Sequence, residues 1–324
     1  MPADFSRVLS RIHEIASRAA VDESQRAALR SAIDIQANRL SRRESHISFR
    51  MPLTVYAAIT GADEGALDIA AAMVLFYMGT DLLDDLADGD PAPEWASEPP
   101  SQSMMMAIGM FATLPQIALS QVEAPASVVL ELQKALLKAS VRMASGQRRD
   151  IASREAASSE INLQSAWDCI EAKSGAAIGL LGELPAILAD RRELIEPYFQ
   201  FGSAIGSAFC LMKDCRNLMD GAQSGDLANG TRSYPIALHM SGLRGEAAKG
   251  EFELLLQQAR TDPQRRDEVR GRLLGAGTFQ IAWLVIDSCR QRARSALEKA
   301  QPLEPAGAAL RAMLDFPSQR EAKA

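Results

Sequence analysis

Apolar side chains recur along this chain at spacings of three and four residues almost throughout, the period of helices laid against a core. No apolar–polar alternation runs beyond about five residues between turn signals, so no strand is expected. The pattern predicts helices over about 4–20, 23–43, 52–60, 64–88, 102–122, 126–147, 156–190, 193–221, 233–241, 246–260, 265–275 and 278–300, with a last one near 305–315. The stretch 69–78 is apolar on nearly every face, which marks a buried helix rather than a surface one. Two stretches read as loops: 89–103, with four prolines, and 221–232, rich in Gly, Asp and Asn. Repeats of fixed period and low-complexity linkers are missing, so a single domain over 1–324 is expected.

Composition sharpens the class. Hydrophobic residues at 47% with 23% charged are enough to bury a large core, which excludes disordered and collagen-like chains. The formal net charge of −6 disfavours nucleic acid and anionic lipid as partners. Cys169, Cys210, Cys215 and Cys289 lie in apolar stretches without a CxxC pair, which reads as reduced thiols rather than structural zinc. The first residues hold no apolar signal core, and the longest apolar run, 69–80, stops at Asp81, short of the ~20 residues of a membrane span. No transmembrane segment and a cytoplasmic location are therefore expected.

The strongest chemistry is an aspartate cluster. Asp81, Asp84, Asp85 and Asp88 stand at i, i+3, i+4 and i+7, so a helix puts four carboxylates on one face. Like charges at that spacing repel by a few tenths of a kcal/mol per pair, and a hard divalent cation with oxygen ligands relieves them. A solvated acidic helix end is the other reading of such a cluster. The buried character of 69–78 favours the first, because a buried helix ending in carboxylates needs a polar space at its mouth.

With that helix in view, the chain resembles the polyprenyl diphosphate synthase family. Asp84-Asp85-Leu86-Ala87-Asp88 fits the family's first DDxxD motif, followed by Gly89-Asp90. Gly146-Gln147-Arg148-Arg149-Asp150-Ile151 is similar to its GQxxDL block, and Lys173-Ser174-Gly175 to its KTG. Phe201-Gly202 and Ile205-Gly206-Ser207-Ala208-Phe209 resemble its FGxxLGxAF run. Asp226-Leu227-Ala228-Asn229-Gly230-Thr231-Arg232-Ser233-Tyr234-Pro235 is similar to DLxxGKxTxP, with Thr231 where lysine is usual, and the tail from Arg292 to Arg320 keeps the family's rhythm. The blocks occur in the family's order across nearly the whole chain.

Departures accompany the likeness. The second motif, DDxxD in the family, reads Lys213-Asp214-Cys215-Arg216-Asn217, leaving Asp214 as a carboxylate and Asn217 as a neutral oxygen. Lys213 either places an ammonium where a metal ion would sit or pairs with an acidic neighbour. The family's RRG is missing, since no arginine occurs between Arg50 and Arg142, and GGKRxRP is eroded to His46-Ile47-Ser48-Phe49-Arg50-Met51-Pro52. These losses fall mostly on the family's site for the second substrate, isopentenyl diphosphate.

The resemblance implies an all-α, antiparallel helical bundle around a deep central cavity, with two aspartate motifs facing each other across Mg²⁺ ions and one prenyl diphosphate. It also implies a homodimer. On that footing Asp84, Asp85, Asp88 and Asp214 are the carboxylate ligands of Mg²⁺ and Asn217 a neutral one. Lys173, Arg50, Lys213 and Arg232 are diphosphate contacts, and Phe76, Tyr77, Met73, Phe209, Gly79 and Thr80 are cavity walls. Small residues at Gly79 and Thr80 suggest room for a twenty-carbon chain, with Phe76 as its floor. Ionising an allylic C–O bond puts negative charge on the leaving diphosphate, which the cations stabilise. The expected function is transfer of the allylic group to isopentenyl diphosphate or another acceptor. A terpene-cyclase-like enzyme acting on one prenyl diphosphate, or a non-catalytic subunit of a heteromeric synthase, is the alternative.

Overall fold

The computed structural model describes residues 3–42, 47–89, 92–95, 98–155 and 162–316. Within them every regular element is helical, the class that the apolar spacing predicts. His46, Asp90, residues 156–161 and the tail beyond 316 with Arg320 lie outside the described residues, as does the side chain of Asp88. The chain divides into two compact units. One comprises Met1–Leu136, Leu181–Tyr198 and Ala300–Leu310; the other comprises Leu137–Leu180, Phe199–Lys299 and Arg311–Ala324.

The first unit is built around one apolar helix. Helices α1 (Ala3–Ala19), α2 (Glu23–Ser41), α3 (Ile47–Thr60) and α4 (Leu67–Asp88) are followed by α5 (Pro100–Ile108) and α6 (Leu114–Ser120). Helices α5 and α6 are joined through a single π turn, Gly109–Thr113. Because 69–78 offers no polar face, α4 takes neighbours on all sides: α1, α3, α5, the π turn and α6 pack against it, and Ile69 through Phe76 have no exposure. Each large apolar side chain so buried contributes about 1.5–3 kcal/mol. Arg11 pins three elements, donating to Asp68 at 2.6 Å and to Gln121 at 3.0 Å from its place on α1. Helix α3 starts earlier than predicted, at Ile47, and carries Pro52 in its interior, where the ring cannot donate to the Ser48 carbonyl.

The helices Glu64–Ala87 and Pro100–Ser120 are long and apolar enough to cross a membrane by length and composition, because the first continues through Asp81 rather than stopping there. The window of the first is 67% buried inside the protein, as expected of a core helix, and that of the second 39%.

In the second unit, α7 (Ala126–Ser153) contributes its later half and runs past its predicted end, so the block from Gly146 to Ile151 is helical. Helix α8 (Leu163–Ile170), capped by Asn162, leads through a π turn, Glu171–Gly175, into α9 (Ala176–Leu188). Helix α10 (Arg192–Met219) lies antiparallel to this composite helix, with Gly206 against Ser174 and Gly202 against Ile178. A Cβ on Gly206 would collide with the Ser174 carbonyl, so the IGSAF run needs glycine there for the helices to approach. Helices α11 (Gly225–Asn229), α12 (Tyr234–Gly242), α13 (Glu246–Ala259), α14 (Pro263–Gly275) and α15 (Thr278–Ala300) complete the unit. Leu211, Leu218, Ile236, Phe252, Val269 and Ile286 lie in its core. Five-residue α11 was not foreseen, because a single turn is too short to show a period.

Candidate active site

In the first unit, the acidic cluster ends α4. The helix closes on Gly89 at φ +69°, a left-handed cap, and has no basic residue in its last turn. Carboxylates there oppose one another and also the negative end of the helix dipole. Asp84 and Asp85 are half-buried. Arg39 Nη2 donates to Asp85 Oδ2 at 2.6 Å from α2, and its Nη1 donates to Gln36 at 3.2 Å. Sequence reading missed Arg39 because nothing in spacing links positions 39 and 85.

The expected cavity residues resolve differently. Gly79 is buried with the backbone of Phe111 where its Cβ would stand, so its small size serves the close approach of α4 to the π turn and opens no space for a substrate chain. Phe76 has no exposure and stacks on Phe111 with centroids 4.8 Å apart. Met73 is equally buried, and the Thr80 hydroxyl donates to the Phe76 carbonyl at 2.8 Å. The twenty-carbon expectation loses its support from Gly79. Tyr77 is half-buried and Arg50 is exposed on α3.

In the second unit, Lys173 lies on the π turn, a widened helical segment of the kind that recurs at functional sites. Its Nζ donates to Asp150 Oδ2 at 2.8 Å. Gly146 makes this possible, because a Cβ there would press on the stem of Lys173. Gln147 Nε2, beside it, is buried with no hydrogen-bond partner among the described residues. Asp214 is half-buried on α10, and burial, then Asp226 and Asp150, hold its carboxyl well above the usual carboxylate range against the pull of Lys213 and Lys173. Lys213 is exposed. Asp150 was missed because α7 was predicted to end before it, and Asp226 because it reads as a loop residue.

Two expected contacts are already engaged. Asn217 Oδ1 accepts from Ser224 Oγ at 2.6 Å and from the Asp226 backbone N–H at 3.0 Å. Arg232 pairs with Glu253, both nearly buried, and burial lowers the arginine's pKa from its ordinary value. Phe209 is half-buried and meets Phe316 edge to face at 5.4 Å between centroids, so it covers the second unit's core.

All four cysteines are free. Burial first, with nearby carboxylates, pushes the Cys169 thiol to about 11 and that of Cys210 to about 12, so neither is a thiolate near neutral pH. Among the described residues no three Asp, Glu, His or Cys side chains already converge as a metal site. The donor chemistry of the α4 end nonetheless suits a hard divalent cation: carboxylate oxygens, crowded and without a basic residue in the last turn.

The whole-chain likeness defines the class of protein first. The fold matches a decaprenyl diphosphate synthase from Rhodobacter capsulatus at TM-score 0.81 and 16% identity, over 98% of this chain and 96% of that one. A geranylgeranyl pyrophosphate synthetase from Pyrococcus horikoshii matches at 0.81 and 19%, over 98% and 96%. A geranylgeranyl pyrophosphate synthase from Corynebacterium glutamicum, complexed with isoprenyl diphosphate and magnesium, matches at 0.77 and 17%, over 97% and 98%. No curated protein matches the sequence. The fold is that of the all-helical isoprenoid synthases. The polyprenyl synthetase family model matches residues 46–271, and the chain belongs to that family. It is a prenyltransferase.

Proposed function

We propose that this prenyltransferase is magnesium-dependent, ionising an allylic prenyl diphosphate and passing the prenyl group to isopentenyl diphosphate or another acceptor. The observation that carries the reading is the acidic end of α4, four aspartates on one face at a helix C-terminus with no basic residue in the last turn. Asp84 and Asp88, one turn apart, would hold Mg²⁺, with Asp85 beside them. When bound, the ion would neutralise charge gathering on the leaving diphosphate. Lys173 and Lys213 would donate to phosphate oxygens, and the unpartnered Gln147 amide would add a further donor. Arg232 is left out of the diphosphate contacts because Glu253 engages it.

The family match crosses both compact units, so the reading treats 1–324 as one functional domain. A homodimer belongs to the same proposal. It is supported by apolar side chains left exposed along helices: Met104, Met105 and Ile108 on α5, and Leu130, Leu137 and Val141 on α7. A cytoplasmic location is supported by the four free thiols.

The test is incubation of purified protein and Mg²⁺ with geranyl, farnesyl or geranylgeranyl diphosphate, each with and without isopentenyl diphosphate. Longer diphosphates that disappear in Asp84→Asn support elongation. A hydrocarbon or alcohol from one substrate alone points to cyclase-type ionisation, and no turnover under any condition overturns the proposal.

A further inference from the structure

Resting on the prenyl diphosphate reading, we infer that Arg39 on α2 is a diphosphate contact at the acidic end of α4, with Gln36 and Asp85 as the positioning residues that aim its guanidinium.

The guanidinium is held along two edges and keeps donors in reserve. Nη2 donates to Asp85 Oδ2 at 2.6 Å and Nη1 to Gln36 Oε1 at 3.2 Å. Among the described residues it makes no further hydrogen bond, which leaves Nε–H and one hydrogen on each terminal nitrogen to give. Nε is open to solvent, unlike the buried and equally unpartnered Nε of Arg7 and Arg232. Arg11, in the same unit, shows the contrasting pattern: Nε, Nη1 and Nη2 all donate within the protein, to Asp68, Glu14 and Gln121. Arg11 is committed to the fold, whereas Arg39 is fixed in place with one nitrogen unspent.

Gln36 supplies an independent observation. It is 1% exposed, its Oε1 faces Arg39, and its Nε2 is buried with no acceptor. Reversing the amide would set donor against donor, so holding Arg39 costs Gln36 a bond of its own. An orphaned buried donor calls for a reason beyond stability, and orienting a guanidinium is one.

Position and chemistry then agree. Asp85 follows Asp84 in the chain, with Cα atoms ~3.8 Å apart, so the partner of one carboxylate neighbours whatever the other holds. An ion proposed at Asp84 and Asp88 would carry a diphosphate group beside Arg39. A planar fork with charge-assisted donors suits phosphate oxygens better than a point charge does. That group is common to an allylic prenyl diphosphate and to isopentenyl diphosphate.

The experiment is calorimetry on the full chain with Mn²⁺ alone, and then, in the presence of Mn²⁺, with inorganic pyrophosphate, isopentenyl diphosphate or a non-ionisable allylic thiolodiphosphate. Arg39→Met is expected to weaken pyrophosphate binding about tenfold while Mn²⁺ affinity holds or tightens. The prenyl ligand that loses affinity alongside pyrophosphate identifies whose diphosphate Arg39 meets. Arg39→Lys, which keeps the charge and loses the fork, is expected to restore part of the affinity. Gln36→Met, which removes the orphaned amide, is expected to keep the urea midpoint and weaken pyrophosphate about threefold. Undiminished affinity for all three ligands in Arg39→Met, or a parallel loss of Mn²⁺ affinity, overturns the inference and leaves the pair a structural one. Should Arg39→Met fail to fold, undiminished pyrophosphate affinity in Gln36→Met overturns it equally. Wild-type protein that binds neither Mn²⁺ nor pyrophosphate instead removes the functional reading, and the inference with it.

Discussion

Arg39 Nη2 lies 2.6 Å from Asp85 Oδ2, joining an arginine side chain 15% exposed to an aspartate 26% exposed. Gln36, 1% exposed, accepts from the other terminal nitrogen and fixes the guanidinium from behind. On the proposed reading the pair divides the roles within Asp84-Asp85-Leu86-Ala87-Asp88: Asp85 spends lone pairs on Arg39, and the cation is proposed to fall to Asp84 and Asp88, at i and i+4 in the helix.

Replacing Arg39 therefore moves stability and metal affinity in opposite directions. Arg39→Met removes a half-buried ion pair and should lower stability by about 1–2 kcal/mol in a denaturant titration, less than a fully buried pair because water screens this one. It also removes a positive charge and releases Asp85, so Mn²⁺ binding should tighten about threefold or more. Weaker Mn²⁺ binding would show instead that Arg39 holds Asp85 in a ligating position.

Gly79 and Thr80, adjacent on α4, should respond unlike each other. Gly79→Ala drives a Cβ into the backbone of Phe111, which cannot yield as a side-chain tip would, and is expected to cost about 2 kcal/mol or more. Thr80→Ala loses one hydroxyl bond to the Phe76 carbonyl at a half-buried position and should cost less than about 1 kcal/mol. Comparison of urea midpoints decides. A stable Gly79→Ala protein that accepts shorter chains would restore Gly79 as a cavity wall.

What could be read without coordinates was whatever repeats locally. The helical period placed α4 because ten successive apolar positions leave it nowhere but the core, and the 81, 84, 85, 88 spacing fixed a shared face whatever the tertiary packing. Boundaries failed where a local signal was outvoted. Pro52 sits inside α3, and α7 runs on through a charged stretch to Ser153, which hid Asp150 as a helical partner for Lys173. Long-range pairs such as Arg39 with Asp85 and Arg232 with Glu253 have no sequence signature, since either arginine reads equally well as a substrate contact. The glycines of α10 were legible as a motif, yet their cause, the carbonyls of Ser174 and Ile178, needed the packed helices.

Glu253 leaves a buried charge behind when it is removed. Its partner Arg232 is 7% exposed in the side chain, and burial already works against its charge. Glu253→Gln is expected to cost about 3–5 kcal/mol, because an unpaired buried guanidinium is far worse than the pair. Arg232→Met with Glu253→Leu should recover most of that loss. If Arg232 were instead a diphosphate contact, the double variant would fold well and lose pyrophosphate affinity. Retained affinity by calorimetry confines the pair to a structural role.

His239 gives the fold an acid-side dependence whose sign follows from its burial. The ring is 8% exposed, 4.4 Å from the Phe252 ring between centroids, with Nδ1 3.2 Å from the Thr278 hydroxyl. Burial first, and the charge of Arg272 second, lower its pKa below the ordinary value of 6.5. In that window the unfolded chain binds a proton that the folded chain refuses. The stability His239 confers is therefore complete above pH 6.5 and declines as pH falls toward the folded pKa, by at most about 1.4 kcal/mol per pH unit. His239→Gln, which can keep a hydrogen bond to Thr278 and has no proton to gain, should flatten that slope. Urea midpoints at about pH 7.5, 6.5 and 5.5 are expected to converge between the two proteins as the pH falls. Parallel slopes would mean that the imidazole takes up its proton inside the fold as freely as outside it.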